Sequence, residues 1–283
     1  GHGIAAKGMG AFPQIYPCPN VEGDAWTVFT NKPAAGAMRG YGIPQAMWAG
    51  EAHLDDVAKA LGRDPVEYRR QVAMPQGYVD AFSKNENYFD SFRQVMDRGM
   101  AAIGYQQKRQ DYQNQSGPVR RGIGMALFWY NTAVWPISLE SCSCRMVLNQ
   151  DGSVQIQTGE TEIGQGCDTA FAQMAADAIG IPFADVHMVS TQDTDLTPFG
   201  TGAYASRQTY VGGFALRQTG ELLRDKILSC AVELTRQAKE NLDLIDGKII
   251  RITDRRELMG LGERATEALY SLEHSQHITA EST

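Results

Sequence analysis

Cysteine is scarce in this sequence, and its few cysteines fall into no spacing that indicates a cross-linked or metal-bound protein. Five cysteines occur among 283 residues, and no two of them form a CxxC pair. A disulfide framework needs a denser set of cysteines, and a zinc site needs paired ligands. We therefore expect no metal held by protein ligands, and we predict a reducing, cytoplasmic compartment.

Long hydrophobic runs and an excess of basic residues are also missing. No run of 18 apolar residues occurs, so we expect no transmembrane helix. The first residues, GHGIAAKGMG, lack the basic, apolar and cleavage regions of a signal peptide. The formal net charge is −7, with the acidic residues spread along the chain, which argues against nucleic-acid binding. The sequence thus predicts neither a membrane nor a nucleic acid as a partner.

The composition is that of a globular protein, and the order of the local patterns predicts an α+β fold. Hydrophobic residues make up 43% of the chain, which is enough for a sizeable core. AWTVFT (25–30) is strand-like, RGIGMALFWY (121–130) is a candidate for a buried strand, and Asp-Gly pairs after residues 150 and 245 indicate hairpins. Because hairpins and helices mix without regular βαβ alternation, we predict mixed sheets and packed helices in two segments, 1–120 and 121–283.

Helices are predicted from apolar spacing and from capping residues. GAMRGYGIPQ opens one helix with Pro44 in its first turn, and Asp64 begins a capping box for a short second helix. Asp168 is expected to cap a later helix that ends at Gly180. A loop without periodicity then leads into a long helix that reaches about Arg236, and ELMGLGERATEALY predicts a weaker final helix.

Three glycine-rich segments each lead into a helix: GAMRGYGIPQ, TEIGQGCDT and TGAYASRQT. A helix N-terminus offers unpaired N–H groups and a positive dipole end, and glycine lets a ligand approach the backbone closely. Gln165, between Gly164 and Gly166, can both donate and accept hydrogen bonds, which suits a heterocycle. Arg39 and Arg207 bring positive charge beside their loops. Each feature alone also fits an ordinary strand-to-helix turn or a structural arginine, and the spacings match neither GxxxxGK[ST] nor GxGxxG.

Read together and in this order, GAMRGYGIPQ, TEIGQG and DTDLTPFGTGAYASRQT resemble the molybdenum-binding subunit of the xanthine dehydrogenase and aldehyde oxidase family. The resemblance runs from about residue 20 to about residue 250, and it is closest to bacterial xanthine dehydrogenase-like enzymes. It implies a molybdenum ion held by the dithiolene of a pterin, with or without a cytosine dinucleotide extension. Such a metal needs no ligand from the protein.

The resemblance also implies roles for particular residues. Gly164, Gln165 and Gly166 would contact the pterin, with Gln165 hydrogen-bonding to it. Ala205, Ser206 and Arg207 would line the pterin or its phosphate through backbone and side chain.

Further roles concern the metal and the substrate. Arg39, Gly40 and Tyr41 would lie beside the metal, with the Tyr41 ring near the substrate. Val134 and Trp135 fall where the family places pocket side chains that sandwich an aromatic substrate. Trp135 equally fits a strand-edge turn packed in the core.

The reaction that the resemblance implies is hydroxylation of a purine or related N-heterocycle with water as the oxygen source, or of an aldehyde as second choice. A glutamate acts as general base, and electrons leave through [2Fe–2S] clusters to FAD in partner domains or subunits. The family's general-base glutamate lies in a motif expected beyond residue 283, so we assign no catalytic residue here. We therefore expect the chain to be the middle portion of a molybdenum subunit and to be inactive alone; the alternative is a truncated or degenerate paralogue with a non-catalytic, structural role.

Other candidate residues are interpreted as structural. His53 is expected at the surface, and His274 and His277 have the i, i+3 spacing of a metal pair but no further ligands. Glu160 and Glu162 could be acid or base, yet we expect structural or solvated roles for both. Cys142 and Cys144 are expected to be core residues, and Cys167, which borders the TEIGQG loop, shows no sign of activation.

Overall fold

The computed structural model of the chain describes residues 3–34, 36–80, 84–130, 132–134, 139–189, 193–270 and 277–283. The predicted α+β class is confirmed, because helices occur together with antiparallel and mixed sheets. The helices are α1 (Ile4–Ile15), α2 (Ile43–Ala60), α3 (Pro65–Val72), α4 (Ser91–Ile103), α5 (Tyr105–Asp111), α6 (Cys167–Ile179), α7 (Gly213–Thr235) and α8 (Leu261–Tyr270). The strands are β1 (Cys144–Leu148), β2 (Val154–Thr158), β3 (Val186–Met188), β4 (Leu242–Ile245), β5 (Lys248–Arg251), β6 (Glu257–Gly260) and β7 (Thr279–Ser282).

The chain divides into two compact units, Gly1–Asn131 (unit 1) and Thr132–Thr283 (unit 2). The sequence analysis placed a boundary near residue 120. Among the described residues, no helix combines the length and the hydrophobicity that a bilayer crossing requires. Each unit has its own core and is described separately below.

Unit 1 begins with a helix that the sequence analysis did not predict. IAAKGMGAFPQI forms α1, although two glycines and a proline lower its intrinsic helix propensity. Ala11 and Ile15 are buried against Ile43 and Met47 of α2, and this packing outweighs the local propensity. The glycines also allow close approach: a Cβ at Gly8 would lie 3.2 Å from the carbonyl oxygen of Gly42. α1 therefore packs directly beneath the GAMRGYG loop.

The helix caps of unit 1 follow the sequence. α2 begins at Ile43 with Pro44 in its first turn, as predicted. The Asp64 carboxylate accepts hydrogen bonds from the backbone N–H groups of Val66 and Glu67, which confirms the predicted cap of α3. These caps fix where α2 and α3 begin and so place their buried faces toward the core of unit 1.

The two strands predicted in unit 1 are wrong as strands. Residues 25–30 and 121–130 have no regular secondary structure, and neither belongs to a ladder within the described residues. In 121–130 the side chains alternate, with Met125, Leu127 and Trp129 turned toward the core and Phe128 exposed. The predicted burial of the whole segment is therefore wrong, because only one of its faces is covered.

Unit 2 contains a four-stranded sheet in the order β3-β2-β1-β7. The predicted hairpin between β1 and β2 is confirmed, with Cys144 opposite Thr158 and Leu148 opposite Val154. β3 pairs with β2 in parallel and β7 pairs with β1 antiparallel. The alternation along β1 and β2 buries one face of the sheet against α6 and α7.

The second sheet of unit 2 is antiparallel, in the order β4-β5-β6. The predicted hairpin at Asp246-Gly247 is confirmed, with both residues at positive φ. α7 ends at Thr235, with Arg236 as its C-cap, close to the predicted end. The predicted final helix is partly wrong, since its first residues form β6 and α8 begins only at Leu261.

Candidate functional site

The TEIGQG loop connects β2 to α6, and a glutamate within it caps the helix. The Glu162 carboxylate accepts hydrogen bonds from the backbone N–H groups of Gly164 (2.6 Å), Gly166 (3.1 Å) and Asp168 (3.2 Å). These hydrogen bonds hold the pKa of Glu162 below its usual range. The prediction that Asp168 caps α6 is wrong: the N-cap position belongs to Gly166, and Glu162 reaches the free amides first.

Gln165 folds back onto its own loop and joins it to the third loop. Its amide nitrogen donates to the Thr161 carbonyl (2.9 Å) and to the Gln208 side-chain oxygen, and its own oxygen accepts from the Ile163 N–H (2.7 Å). The Gln208 amide in turn donates to the same Thr161 carbonyl (2.8 Å). We call Thr161, Gln165 and Gln208 the glutamine clasp. Both donor hydrogens of Gln165 are used in it, while its oxygen keeps acceptor capacity.

The ASRQT segment enters its helix through strained backbone. Ala205 and Ser206 are consecutive residues at φ 52° and 55°, in a region of backbone conformation that residues other than glycine rarely adopt. Gln208–Gly212 then form a turn of π-helix before α7 begins. Left-handed residues and π-turns are both frequent at functional sites. Ala205 is half-buried and Ser206 is exposed, so this backbone is open on one side.

Arg207 points away from that open side and is 0% exposed. Its guanidinium donates to the carboxylates of Glu140 (2.7 Å) and Glu160, and to the backbone carbonyls of Ser141 (2.6 Å) and Gly202 (3.1 Å). These contacts tie the third loop to the residues that precede β1 and to the end of the β1–β2 hairpin. All three guanidinium nitrogens of Arg207 therefore have partners within unit 2.

Glu140 extends this cluster to one of the predicted pocket residues. Its second oxygen accepts a hydrogen bond from the Val134 N–H (2.6 Å), and the Ala133 N–H donates to the Ala205 carbonyl (2.7 Å). Val134, Ala205 and Arg207 therefore belong to one hydrogen-bonded assembly. Trp135, the other predicted pocket residue, lies outside the described residues.

Glu160 is buried beside Arg207, and one of its oxygens lacks a partner. Oε1 accepts from Arg207, whereas Oε2 is buried and has no hydrogen-bond partner among the described residues. Burial, with a contribution from the Glu160 charge, raises the pKa of the nearby Cys142 thiol to about 11. The expectation of a structural role for Glu160 fits its ion pair. Buried carboxylate oxygens without a hydrogen-bond partner are nevertheless unusual in native proteins, so this cluster is not satisfied by its own contacts.

Close backbone packing brings the third loop against the start of the second. A Cβ at Gly159 would lie 2.2 Å from the backbone nitrogen of Gly200, so only glycine fits there. Gly200 also forms an isolated β-bridge with Cys142. The structure thus brings the second and third predicted loops together within unit 2.

The first loop lies in unit 1 and has the same kind of strained backbone. Gly40, Tyr41 and Gly42 are three consecutive residues at positive φ. The Gly3 N–H donates to the Tyr41 hydroxyl (3.3 Å), and the Tyr41 ring lies against α1. Arg39 is exposed and, among the described residues, forms no ion pair. Its guanidinium is therefore available, unlike that of Arg207.

Within the described residues, one group of side chains is close enough together to hold a metal ion. Glu162, Cys167 and Asp168 form a group compact enough for an ion. However, the Glu162 oxygens already accept backbone hydrogen bonds, and burial raises the pKa of Cys167 to about 12, so the thiolate that would bind a metal is disfavoured. His53 is exposed, as predicted, and the exposed His277 contacts the Leu148 carbonyl at 3.2 Å. His274 lies outside the described residues.

Sequence reasoning missed two residues that organise this site, Glu140 and Gln208, and did not predict that Glu162 caps α6. Glu140 has no local signal, because its partner Arg207 lies 67 residues away in the chain. Gln208 follows directly after the predicted ASR segment, and its amide could have been paired with Gln165. Glu162 stands four residues before the N-cap region of α6, outside the usual capping-box spacing.

Comparison with known proteins gives consistent matches. Two models described as molybdopterin cofactor-binding domains match residues 98–283 and 1–73. The putative xanthine dehydrogenase molybdenum-binding subunit XdhA of Escherichia coli is 42% identical over 100% of this chain and 38% of its own length. Xanthine dehydrogenase of Drosophila pseudoobscura pseudoobscura is 30% identical over 79% of this chain and 17% of its own length.

A solved structure supports the fold. Quinoline 2-oxidoreductase from Pseudomonas putida 86 superposes with a TM-score of 0.81 at 23% identity, over 98% of this chain and 37% of that one. At this identity the likeness concerns the fold alone. The chain spans less than two fifths of the length of the relatives it matches.

Proposed function

The chain belongs to the molybdopterin cofactor-binding domain family, as part of a molybdenum-binding subunit of the xanthine dehydrogenase and aldehyde oxidase type, and we propose that it supplies much of the cofactor-binding surface of such a subunit. The observation that carries the proposal is the glutamine clasp, which joins the TEIGQG and ASRQT loops. Loops distant in sequence meet there, beside backbone held in a strained conformation.

The residues present fit a pterin better than a free anion at the N-terminus of α6. A Cβ at Gly164 or Gly166 would meet nothing within 4 Å, so the loop leaves open space for a ligand. Glu162 already occupies the N–H groups of the helix, and its negative charge would repel a phosphate there. A neutral heterocycle with donor groups can instead use the remaining acceptor capacity of Gln165.

Particular residues would then hold the cofactor. Gln165 would accept a hydrogen bond from the pterin, and the exposed backbone of Ala205 and Ser206 would line it. Arg207 is a positioning residue, since it orients this backbone from below through Glu140 and Glu160. Arg39, Gly40 and Tyr41 would contact the metal side of the group. When bound, the cofactor supplies the redox chemistry, and the chain contributes binding, orientation and charge placement.

For the complete enzyme, we propose hydroxylation of a purine or related N-heterocycle with water as the oxygen source. The similarity to xanthine dehydrogenase subunits supports this substrate class, and Tyr41, Val134 and Trp135 are each proposed to contact the substrate. The proposed partners are the remainder of the molybdenum subunit and domains or subunits that carry [2Fe–2S] clusters and FAD. The proposed cofactor is a molybdenum pterin, with or without a cytosine dinucleotide extension. The five free cysteines support a cytoplasmic location.

The proposal is tested by Gln165→Ala in the complete subunit, with pterin and molybdenum per chain as the readouts. We expect close to one molybdenum per chain in the parent protein and clearly less in the variant, because both the clasp and the pterin contact are lost. Gln173→Ala is the matched control, since Gln173 is exposed on α6 and belongs to no predicted contact. Full molybdenum and pterin in Gln165→Ala would refute the role of this loop.

Gln208→Ala distinguishes contact from positioning. It breaks the clasp but leaves the Gln165 amide in place. A loss of pterin in Gln165→Ala alone indicates direct contact, whereas equal losses in both variants indicate that the clasp acts by shaping the loop. A parent chain without any molybdenum, from cells that load other molybdenum enzymes, would favour the alternative of a non-catalytic paralogue.

A further inference from the structure

Residues 21–30 of unit 1 have no regular secondary structure and carry exposed apolar side chains. Trp26 is 82% exposed, and Val28 and Phe29 are also exposed. Trp26 and Val28 lie two residues apart and Phe29 is adjacent to Val28, so a strand formed by this segment would have apolar side chains on both faces. Apolar residues on both faces are typical of a strand that is buried on both sides.

The backbone of this segment is unpaired as well. Within the described residues, no hydrogen bond reaches a backbone group of residues 21–29. A strand edge with free N–H and C=O groups favours pairing with another extended chain. The unpaired backbone groups and the exposed apolar side chains therefore both favour a second extended chain as the partner.

Residues 121–130 are a second segment of the same unit without regular secondary structure. Leu127 is buried, and its N–H donates to Glu51 (2.8 Å), so this segment is anchored to the core of unit 1. The side chains alternate inward and outward, and the outward Phe128 is 78% exposed. The alternation of a strand is thus present without a ladder partner among the described residues.

We propose that residues 21–30 and 121–130 are docking strands, paired in the complete protein with β-strands from the rest of the molybdenum-binding subunit. This inference rests on the proposed function, because it takes the remainder of that subunit as the partner. The chain corresponds to 38% of the length of the E. coli relative, so most of such a subunit is further polypeptide. Its partner strands would be extended and would carry apolar side chains at alternate positions, as recognition by strand addition requires.

The test compares amide hydrogen exchange in the chain alone and in a longer subunit. The longer subunit is E. coli XdhA in which the matched portion has been replaced by this chain. We expect exchange at residues 24–30 to slow by about 100-fold in the chimera, because ladder hydrogen bonds protect amides. The β4–β5 hairpin serves as internal reference, since its amides are already paired.

Two tryptophans provide a matched pair of variants. Trp26 in residues 21–30 and Trp48 on α2 are 82% and 78% exposed, so replacing either with serine should leave the isolated chain stable. In the chimera, Trp26→Ser should reduce the protection of residues 24–30 by about 10-fold, whereas Trp48→Ser should leave it unchanged. If the Trp26→Ser chimera does not accumulate, the exchange of the parent chimera still decides the question.

The proposal is overturned if residues 24–30 exchange equally fast in the chain and in the chimera. It is also overturned if the isolated chain protects them in a concentration-dependent way, because the partner would then be a second copy. The measurement is made on protein without molybdenum. A failure of the cofactor proposal, seen as normal metal loading of Gln165→Ala, therefore cannot be mistaken for a failure of strand docking.

Discussion

Each unit of the chain contains a buried arginine held by two carboxylates, and the two clusters differ in what they support. In unit 1, Arg69 is 1% exposed and pairs with Glu51 (2.7 Å) and Asp55 (2.6 Å). In unit 2, Arg207 is 0% exposed and pairs with Glu160 and Glu140. The same chemical device is thus present twice.

The carboxylates of the two clusters are satisfied to different degrees. Besides Arg69, Glu51 accepts hydrogen bonds from the Tyr16 hydroxyl (2.5 Å) and the Leu127 N–H (2.8 Å). Glu160 accepts from Arg207 on one oxygen, while its other oxygen has no partner among the described residues. The Arg69 cluster is complete in itself, and the Arg207 cluster is not.

The backbone around the Arg207 cluster is also more strained than the backbone around the Arg69 cluster. The residues that contact Arg69 lie in α2 and α3, and none of them is at positive φ. Arg207 follows two left-handed residues, and Ala133, which donates to Ala205, is also at positive φ. Strained backbone persists only where the surrounding contacts enforce it. The contrast indicates that the Arg69 cluster stabilises a core, whereas the Arg207 cluster holds the loop that we propose to face the cofactor in a conformation it would otherwise leave.

The largest expected effect is a loss of stability when either arginine is replaced by methionine. Breaking a buried ion pair costs about 3–5 kcal/mol, because the remaining charge is uncompensated. Arg207→Met should reach this range in unit 2, since Glu160 keeps only the weakly donating thiol of Cys142 nearby. Arg69→Met should cost about 1.5–3 kcal/mol less in unit 1, because Glu51 keeps charge-assisted hydrogen bonds from Tyr16 and Leu127. Denaturant unfolding, resolved by unit with hydrogen exchange, measures both values.

Arg207→Lys and Arg69→Lys serve as controls for charge. Lysine keeps the positive charge but cannot reproduce the fork of donors that reaches several segments. The unfolding free energy of each lysine variant should therefore lie between those of the parent chain and of the corresponding methionine variant. An equal or larger cost for Arg69→Met than for Arg207→Met would contradict the claim that the two clusters differ in completeness.

The next effect is a pH dependence that separates the units at alkaline pH. Burial raises the pKa of Cys142, Cys144 and Cys167 in unit 2 to about 11, 12 and 12. Burial, together with the hydrogen bond to Glu51, raises the pKa of Tyr16 in unit 1 above its usual range. Because each folded pKa is raised, the associated stability is present below the unfolded value and is lost as pH rises above it.

The pH at which stability begins to fall differs between the two units, because thiols in an unfolded chain ionise at a lower pH than phenols do. Unit 2 should begin to lose stability above about pH 9, and unit 1 only above about pH 10, by up to about 1.4 kcal/mol per pH unit for each group. Tyr16→Phe should remove only part of the alkaline slope of unit 1 while leaving that of unit 2, because Tyr105, whose pKa is raised to about 12, contributes a similar slope up to pH 11 and the pKa of Tyr130 is raised as well. Unfolding free energies measured from pH 8 to 11 test this order; simultaneous loss in both units would contradict it.

Much of the fold could be predicted because it depends on local pattern. The β1–β2 and β4–β5 hairpins follow from Asp-Gly pairs between alternating residues, and Asp64 caps α3 through a contact two or three residues away. α1 could not be predicted, because its glycines and proline disfavour a helix and only packing against α2 compensates. Residues 25–30 were predicted as a strand but have no regular secondary structure, because a ladder requires a partner that local pattern cannot supply.

The candidate site divides in the same way. The three loops were located because glycine content and order are visible in the sequence. The direction of a side chain was not visible: Gln165 turns into its own loop and also contacts Gln208, 43 residues away, and Arg207 turns into the core toward Glu140, 67 residues away. Such long-range contacts decide whether a polar residue faces a ligand or supports the backbone that does.

The smallest expected effect concerns the strain that the Arg207 cluster maintains. Ser206→Gly places glycine at φ 55°, where a side chain costs about 1–2 kcal/mol, and the flexibility of glycine in the unfolded chain offsets about 0.4–1 kcal/mol of this gain. We expect unit 2 to be unchanged or to gain about 0.5 kcal/mol. Ser229→Gly is the matched control: Ser229 is exposed in α7, where glycine should cost about 0.5 kcal/mol.

The same variant tests what the strain is for. If the strained backbone is there to present a ligand-binding surface, Ser206→Gly should lower pterin retention in the complete subunit even though its stability does not fall. Thermal unfolding and pterin content, measured on the same preparations, separate the two quantities. Equal destabilisation by Ser206→Gly and Ser229→Gly would show that residue 206 is not strained. Unchanged pterin content would show that the strain serves the fold of unit 2 alone, and the two arginine clusters would then be equivalent in role.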